Sequence, residues 1–370
     1  MIESLCGWET DSLLPLVIGY GILYTEKLAG RLKVSQTEII VEIGNTHEGS
    51  LGVAKSLVLM AKKAGAKTVK FQMHLAEFEG IKNEPFRVKF SEQDETRQDY
   101  WRRVNFNLQN WIHLSEFCNS EDLEFLCTPF SLEAARRLFE NRLIKRWKIG
   151  SGQAVEWPLI DYVSLSGLPL IISTGLISSD EIVLLKKRLE NNGAWSRTTL
   201  LHCVSQYPAP LDNLDLHLMK DLAKLGCRVG FSDHSGDPNT ALYAIAHGAR
   251  VIEVHLTPRK DYFGPDVSSS LTPEEIESLI RFASTSNILE KSNGTKELHF
   301  QRVSGLRKIF RKGVYWSESL PLGTVIQLKH LQFLKPVDEI DVIDFEWLLG
   351  KQTAKEVHSG TPVQTDEIFH

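Results

Sequence analysis

Eight short apolar runs recur between residues 38 and 255, each rich in β-branched residues. A polar residue or glycine follows each run, and then a helical pattern. The runs are Ile39–Ile43, Thr68–Gln72, Glu124–Cys127, Arg146–Ile149, Leu170–Ser173, Thr199–Cys203, Arg228–Phe231 and Val251–His255. Amphipathic helices separate several of them; Ala54, Leu57, Val58 and Ala61 fall at i, i+3, i+4 and i+7. Eight strands alternating with helices favour an α/β fold of the closed (β/α)8 TIM-barrel type over an open doubly wound sheet.

Two stretches break the rhythm. Residues 73–110 form a long polar insertion with Phe86, Phe90, Tyr100 and Trp101, and an insertion of that length after a barrel strand points to a functional role. Residues 284–305 are polar, contain Asn293-Gly294, and read as a linker. Beyond them the pattern changes to short strands and turns with an internal echo. Gly323-Thr324-Val325-Ile326-Gln327-Leu328 resembles Gly360-Thr361-Pro362-Val363-Gln364-Thr365. The expected organisation is therefore an N-terminal extension over 1–37, a barrel over 38–283, a linker over 284–305 and a small β-rich domain over 306–370.

Composition removes several function classes. The chain of 370 residues is 42% hydrophobic with a formal net charge of −5, which is globular and lacks the basic footprint of a nucleic-acid binder. The five cysteines (Cys6, Cys118, Cys127, Cys203, Cys227) make no CxxC pair, so a reducing cytoplasm is expected. Leu13 to Tyr24 is apolar but too short to span a bilayer, and Glu3 and Glu9 precede it instead of a basic cluster. No membrane association and no signal peptide are expected.

In a barrel of this kind the chemistry sits at the C-terminal ends of the strands. Those ends carry Glu42 and then His47; Lys70 and Gln72; Thr128; Lys148, Ser151 and Gln153; Ser173; His202, Ser205 and Tyr207; Ser232 and His234; and His255. Two lysines and several hydroxyls around one axis suit a phosphate or phosphate-carboxylate ligand. His234 and His255, on neighbouring strands, could share one divalent ion such as Mn²⁺. Glu42, across the barrel, could orient a substrate or move a proton. Cys127 and Cys203 are expected to be core fillers. Taken singly, a lysine, serine or histidine at a strand end is more often a rim, capping or structural residue; convergence of all of them argues for one polar site.

These residues lie in segments that resemble the sialic acid synthase family, the phosphoenolpyruvate-dependent N-acylneuraminate synthases. The segments are VEIGNTHEGSLGVAKSLVLMAKKAGAKTVKFQ, TPFSLEAA, KIGSG, PLIISTGL, LLHCVSQYPAP, GFSDHS, IEVHLT and GPDVSSSL, in the family's order over about residues 38–370. The resemblance implies a barrel followed by an antifreeze-like (SAF) domain, in a domain-swapped homodimer. It implies condensation of phosphoenolpyruvate with the open-chain aldehyde of an N-acylated hexosamine such as N-acetylmannosamine, with loss of phosphate by C–O cleavage. Carried over by motif, His234 and His255 would hold Mn²⁺ or Mg²⁺. Lys70, Thr128, Lys148, Ser151, Ser173 and Ser232 would hold phosphoenolpyruvate. Glu42 would act at the reacting centre, and Gln72, Gln153, Ser205, Tyr207, Asp266 and Lys335 would face the acceptor sugar.

The departures, all but the first, fall on the sugar side. Thr46 stands at an Asn position, Gln153 replaces a Glu, Ser205 stands where some members have Asn, and Lys335-Pro336-Val337 replaces Arg-Pro-Gly. Lysine is a point charge and cannot reproduce the planar fork of arginine. The expected outcome is the family's reaction with a changed acceptor. The alternatives are a non-catalytic sugar- or partner-binding homologue and a phosphoenolpyruvate aldol synthase acting on another aldose.

Overall fold

The structure is a computed structural model that describes residues 37–82, 84–86, 90–292 and 294–369. All of the expected N-terminal extension but Thr37, together with Cys6 and Asn293, lies outside the described residues. The chain divides into two compact units, Met1–Lys291 and Ser292–His370.

In the first unit eight parallel strands form a nearly closed barrel. They are β1 (Glu38–Gly44), β2 (Thr68–Met73), β3 (Glu124–Pro129), β4 (Trp147–Ile149), β5 (Leu170–Ser173), β6 (Thr198–Cys203), β7 (Arg228–Asp233) and β8 (Val251–Leu256). The ladder runs β3-β2-β1-β8-β7-β6-β5-β4, so hydrogen bonds join every junction except that between β3 and β4. Each strand lies within about two residues of the run expected from sequence, because apolar side chains on both faces are legible without tertiary information. A short β9 (Ser270–Leu271) pairs with β8.

The helices start where the sequence supplies caps. Helix α1 (Leu51–Lys63) begins at Ser50, whose side chain accepts from the Val53 amide. The 73–110 tract is not all loop: Thr96 and Asp99 form a capping box that opens α2 (Arg97–Val104). Helices α3 (Leu108–Ser120), α4 (Leu132–Glu140), α5 (Trp157–Leu165), α6 (Ser179–Asn191), α7 (Met219–Lys224) and α8 (Pro238–Ala246) follow in order, and α9 (Pro273–Glu290) ends the unit. Helix α10 (Lys296–Phe310) belongs to the second unit. The expected linker over 284–305 is thus largely helix. Thr295 caps α10 by accepting from the Leu298 amide, and the polarity taken for a linker is that of an exposed helix.

Alternation along the strands layers the barrel interior. At the N-terminal end the Arg146 guanidinium bridges Glu38 and Glu124, with Nε donating to Glu124 at 2.8 Å and Nη1 to Glu38 at 2.8 Å. Above it Ile40, Leu126, Ile171, Leu201 and Val251 form a small buried apolar cluster. Gly230 sits at this level because a Cβ there would approach the Val251 carbonyl oxygen to 2.1 Å. Two residues further along, Glu42, Thr128, Ser173 and Glu253 turn the interior polar, while β6 places Cys203 there. A larger core of the same unit packs between the outer strand faces and the helices, with Phe71, Trp111, Phe125 and Trp147 among its largest members.

The second unit has its own core of Val314, Trp316, Leu320, Ile326, Leu331, Ile340, Leu348, Val357, Val363 and Ile368. Strands β10 (Gly313–Trp316) and β11 (Leu331–Leu334) pair antiparallel; isolated bridges and short 3₁₀ turns make up much of the remainder. The sequence echo is a local structural repeat. Gly323 and Gly360 both adopt φ of 82°, Ile326 and Val363 are both buried, and Gln327 and Gln364 each cap a 3₁₀ turn through the same reciprocal bonds.

Burial alone would raise the Glu38 carboxyl, but the hydrogen bonds and charge of Arg146 outweigh it and hold the group below its ordinary range. Its contribution to stability is therefore full above the ordinary carboxylate pKa and is lost as pH falls through the lowered value. Arg146→Met strands two carboxylates and is expected to cost about 3–5 kcal/mol at neutral pH. Denaturant unfolding across pH should show that gap shrinking below about pH 4.

Candidate active site

The polar layer is built by residues two apart on neighbouring strands, since strand side chains alternate between faces. Glu42 follows Ile40 on β1, Lys70 follows Thr68 on β2, Thr128 follows Leu126 on β3, and Ser173 follows Ile171 on β5. On β8 the same face carries Val251, Glu253 and His255 in turn.

The centre of the layer is a buried four-charge cluster. Lys70 Nζ lies 2.9 Å from Glu42 Oε1 and 3.7 Å from Glu253 Oε1, and donates to Thr128 Oγ1 at 3.1 Å. Lys148 Nζ lies 3.5 Å from the same Glu253 oxygen and donates to Ser173 at 2.9 Å. Ser232 donates to Glu253 at 3.0 Å. Burial opposes the charge on Lys70, but Glu253 and Glu42 outweigh it and raise the group above its ordinary value. Lys148 moves the other way: burial lowers it, and the nearby Lys70 adds to that, against Glu253. Burial raises Glu253, yet the two ammonium groups prevail and keep it ionised. Glu42 Oε2 and Glu253 Oε2 are buried and have no hydrogen-bond partner in the protein.

His234 and His255 stand at the edge of this cluster with ring centroids 5.4 Å apart. His234 Nδ1 lies 3.2 Å from the Val204 carbonyl oxygen, and its Nε2 accepts from the Tyr207 hydroxyl at 3.0 Å. Burial, and then His255, push His234 down to about 3, so its ring is neutral. A neutral ring is the state in which an imidazole can ligate a metal, and a carbonyl on Nδ1 fixes the tautomer whose Nε2 lone pair, here accepting from Tyr207, would be the donor. His255 Nδ1 lies 3.8 Å from Asp266 Oδ2. Among the described residues no group of three or more His, Cys, Asp and Glu is spaced to hold a metal ion. The donors present therefore fit an open site of two imidazoles completed by water or substrate. The orphaned Glu42 and Glu253 oxygens are acceptors available to such waters.

The cleft has two compartments. The inner one, about 60 Å³, is lined by Glu42, Lys70, Thr128, Lys148, Ser151, Ser173, Ser232, His234, Glu253 and His255. It shares Gln72, Phe130, Gly150, Ser151, Tyr207 and His255 with an outer cavity of about 770 Å³. Gln153, Ser205 and Asp266 face that outer cavity; Ser205 and Ser151 hydroxyls are 3.0 Å apart. Gly175 lets the β5 and β6 loops close on each other, since a Cβ there would meet Cys203 Sγ at 2.5 Å and Ser205 Oγ at 2.7 Å.

Three further residues singled out from the sequence have other surroundings within this chain. Lys335 lies in the second unit with Nζ 5.7 Å from the Phe310 ring centroid. His47 is a buried packing residue stacked on Phe106 at 4.6 Å, and His202 bonds the Leu214 carbonyl at 2.7 Å. Sequence reading missed Glu253, although its i, i+2 spacing from His255 placed both on one strand face. Phe86, Phe90, Tyr100 and Trp101 of the insertion line the outer cavity, but sequence reading missed Asn45, His74, Glu79, Arg97 and Phe130, which line it too and converge only through the 73–110 tract and the loops after β1 and β3.

A model of the NeuB family matches residues 57–297. The chain belongs to the NeuB family. An N,N'-diacetyllegionaminic acid synthase from Campylobacter jejuni is 32% identical over 87% of this chain and 97% of its own length. The human N-acetylneuraminate-9-phosphate synthase is 29% identical over 79% of this chain and 81% of its own. A crystal structure of an N-acetylneuraminic acid synthetase from Leptospira borgpetersenii in complex with citrate superimposes with a TM-score of 0.64 at 26% identity, covering 74% of this chain and 91% of that one. The polar cleft of this NeuB-family chain thus sits in the TIM barrel of the sialic acid synthase family that its motifs resemble.

Glu253→Gln keeps the side-chain shape and leaves Lys70 and Lys148 short of a counter-charge. A melting temperature lower by about 5–10 °C is expected. Added inorganic phosphate should raise it more steeply than in the wild type, read by thermal unfolding across a phosphate titration.

Proposed function

We propose that this chain condenses phosphoenolpyruvate with the open-chain aldehyde of an N-acylated hexosamine, N-acetylmannosamine or a modified relative. The products are a nonulosonic 3-deoxy-2-keto sugar acid and phosphate. The observation that carries this is the inner compartment. Two buried lysines among four hydroxyls (Thr128, Ser151, Ser173, Ser232) open past two imidazoles into a cavity large enough for a sugar.

In this reading Lys70, Lys148 and the hydroxyls neutralise and orient the phosphate and carboxylate of phosphoenolpyruvate. An ion such as Mn²⁺ or Mg²⁺ held by His234 and His255 would polarise the acceptor aldehyde. The enol carbon of phosphoenolpyruvate forms the new bond to the aldehyde carbon, leaving an oxocarbenium at C2. Water adds there, and the tetrahedral intermediate expels phosphate with cleavage of the C–O bond. Glu42, held by Lys70 at 2.9 Å and Gln72 at 2.6 Å, directs its second oxygen toward the reacting centre. Glu253 keeps both ammonium groups balanced until the anionic substrate arrives. Gln72, Gln153, Ser205, Tyr207 and Asp266 hold the acceptor in the outer cavity.

Residues 306–370 are proposed to act as an antifreeze-like domain in a domain-swapped homodimer, with Lys335 near the acceptor's N-acyl group in the partner's site. Helix α10 supports association, since Leu298, Val303, Leu306, Ile309 and Phe310 expose apolar surface. The described cysteines Cys118, Cys127, Cys203 and Cys227 are free thiols, in keeping with a cytoplasmic location. No helix among the described residues is long and apolar enough to cross a membrane.

The test is phosphate release from phosphoenolpyruvate with Mn²⁺ across N-acylated and deoxy hexoses, with products identified by mass. One preferred sugar is expected, with release reduced by at least about a hundredfold in His234→Ala. Phosphoenolpyruvate that neither binds nor turns over would establish the non-catalytic alternative. Preference for a phosphorylated aldose lacking an N-acyl group would establish the aldol-synthase one. Because Gln153 lacks the family's carboxylate, N-acetylmannosamine is expected to be a weak acceptor. Gln153→Glu should improve kcat/KM for it by about tenfold, the scale of one charge-assisted hydrogen bond. N-acetylmannosamine as the best wild-type acceptor would refute a changed sugar side.

A further inference from the structure

His74 is buried just beyond β2, where the 73–110 tract begins. Its ring lies between two aromatic faces, with Trp101 at 3.7 Å between centroids and 5° between planes, and Phe130 at 4.0 Å and 26°. Both ring nitrogens face oxygens. Nδ1 is 2.7 Å from Glu79 Oε2, and Nε2 is 3.1 Å from Gln72 Oε1.

The neighbours of Gln72 fix which end of its amide is the oxygen. Its other end lies 2.6 Å from Glu42 Oε1, a carboxylate oxygen already paired with Lys70, and only an N–H suits that position. Asn45 Nδ2, 3.3 Å from Gln72 Oε1, agrees. His74 therefore meets an acceptor on each side. A neutral imidazole has one N–H and satisfies one of them; a ring that donates at both nitrogens is the imidazolium. Glu79 supplies its counter-charge and is held in turn by the Leu75 amide at 2.5 Å. The stacked indole and phenyl faces suit a cationic ring. A second cation, Arg97, lies 5.3 Å from the Trp101 ring centroid and is paired with Glu84 at 2.7 Å.

We propose that His74 is a positioning residue for the condensation. Donating from both ring nitrogens, it clamps the Gln72 amide so that its N–H faces Glu42 while the side chain forms part of the acceptor cavity wall. This rests on the roles proposed above for Gln72 and Glu42. Glu79 acts one step further back, by keeping the second proton on the ring. Without the Nε2 donor, Gln72 Oε1 retains Asn45 alone, and the amide is free to tilt in the wall it shares with the sugar.

The test joins a spectroscopic signature to kinetics. In the ¹⁵N-histidine-labelled wild type at neutral pH, both nitrogens of His74 should carry protons, with the signal assigned by its loss in His74→Phe. That variant keeps a stacked ring and removes both donors. Its acceptor KM should rise by about tenfold, while phosphoenolpyruvate affinity, measured by calorimetry, stays within about twofold. Glu79→Gln should remove one of the two N–H signals and move the acceptor KM in the same direction; it also serves if His74→Phe does not fold. A wild-type His74 with one unprotonated nitrogen, or an acceptor KM unmoved in the folded variants, overturns the clamp. A wild type that turns over no sugar overturns the functional reading instead, and the nitrogen signals then decide the clamp alone.

Discussion

Two ammonium groups and two carboxylates lie together inside the barrel, and the rest of the cleft depends on their mutual balance. Lys70, Lys148, Glu42 and Glu253 are all buried, and any one of them alone would carry a desolvation cost of several kcal/mol. Together they are close to neutral. The cluster is asymmetric, because Glu42 bonds directly to Lys70 while Glu253 is shared by both lysines at 3.5 and 3.7 Å. Lys148 is consequently the less compensated of the two, as the downward shift of its pKa shows. In the proposed reaction a dianion would meet cations already desolvated and aimed, the preorganisation that electrostatic catalysis requires.

That cluster needs a floor and walls. The floor is the apolar layer of Ile40, Leu126, Ile171, Leu201 and Val251, which separates the charges above from the Arg146 network below. The walls are the loops after the strands, and they differ in character. The β4, β5 and β6 loops bring small residues and hydroxyls, including Gly150, Ser151, Gly175 and Ser205. The 73–110 tract brings aromatic rings and ion pairs, so one end of the cleft is shaped by backbone and the other by side chains. A barrel supports many chemistries through this division of labour between a constant strand layer and variable loops.

Much of the fold was legible in the sequence. The strand runs and helix caps are local signals, and the i, i+2 alternation that points Lys70 and Glu42 inward is local too. Glu253 is the instructive omission: IEVHL places it on the same face as His255, but a search confined to strand ends passes over a residue two positions earlier. In the 284–305 tract polarity left the helices unread, since a polar, well-capped helix has the same composition as a linker. His47 and His202 show why residue type alone is weak evidence, since one stacks on Phe106, the other bonds the Leu214 carbonyl, and neither lines the cleft.

The sequence by itself determined the eight-stranded barrel, the inward-facing lysines and hydroxyls, and the motif set of the sialic acid synthase family, because each follows from short-range periodicity or contiguous residues. Only the tertiary structure decided that Glu253 balances both lysines and that His74 is sandwiched against Trp101 and Phe130. It alone showed that residues from a 38-residue insertion form one wall of the outer cavity. These are contacts between residues distant along the chain. Their geometry is set by how strands tilt and loops fold over the barrel mouth, and no local pattern encodes it.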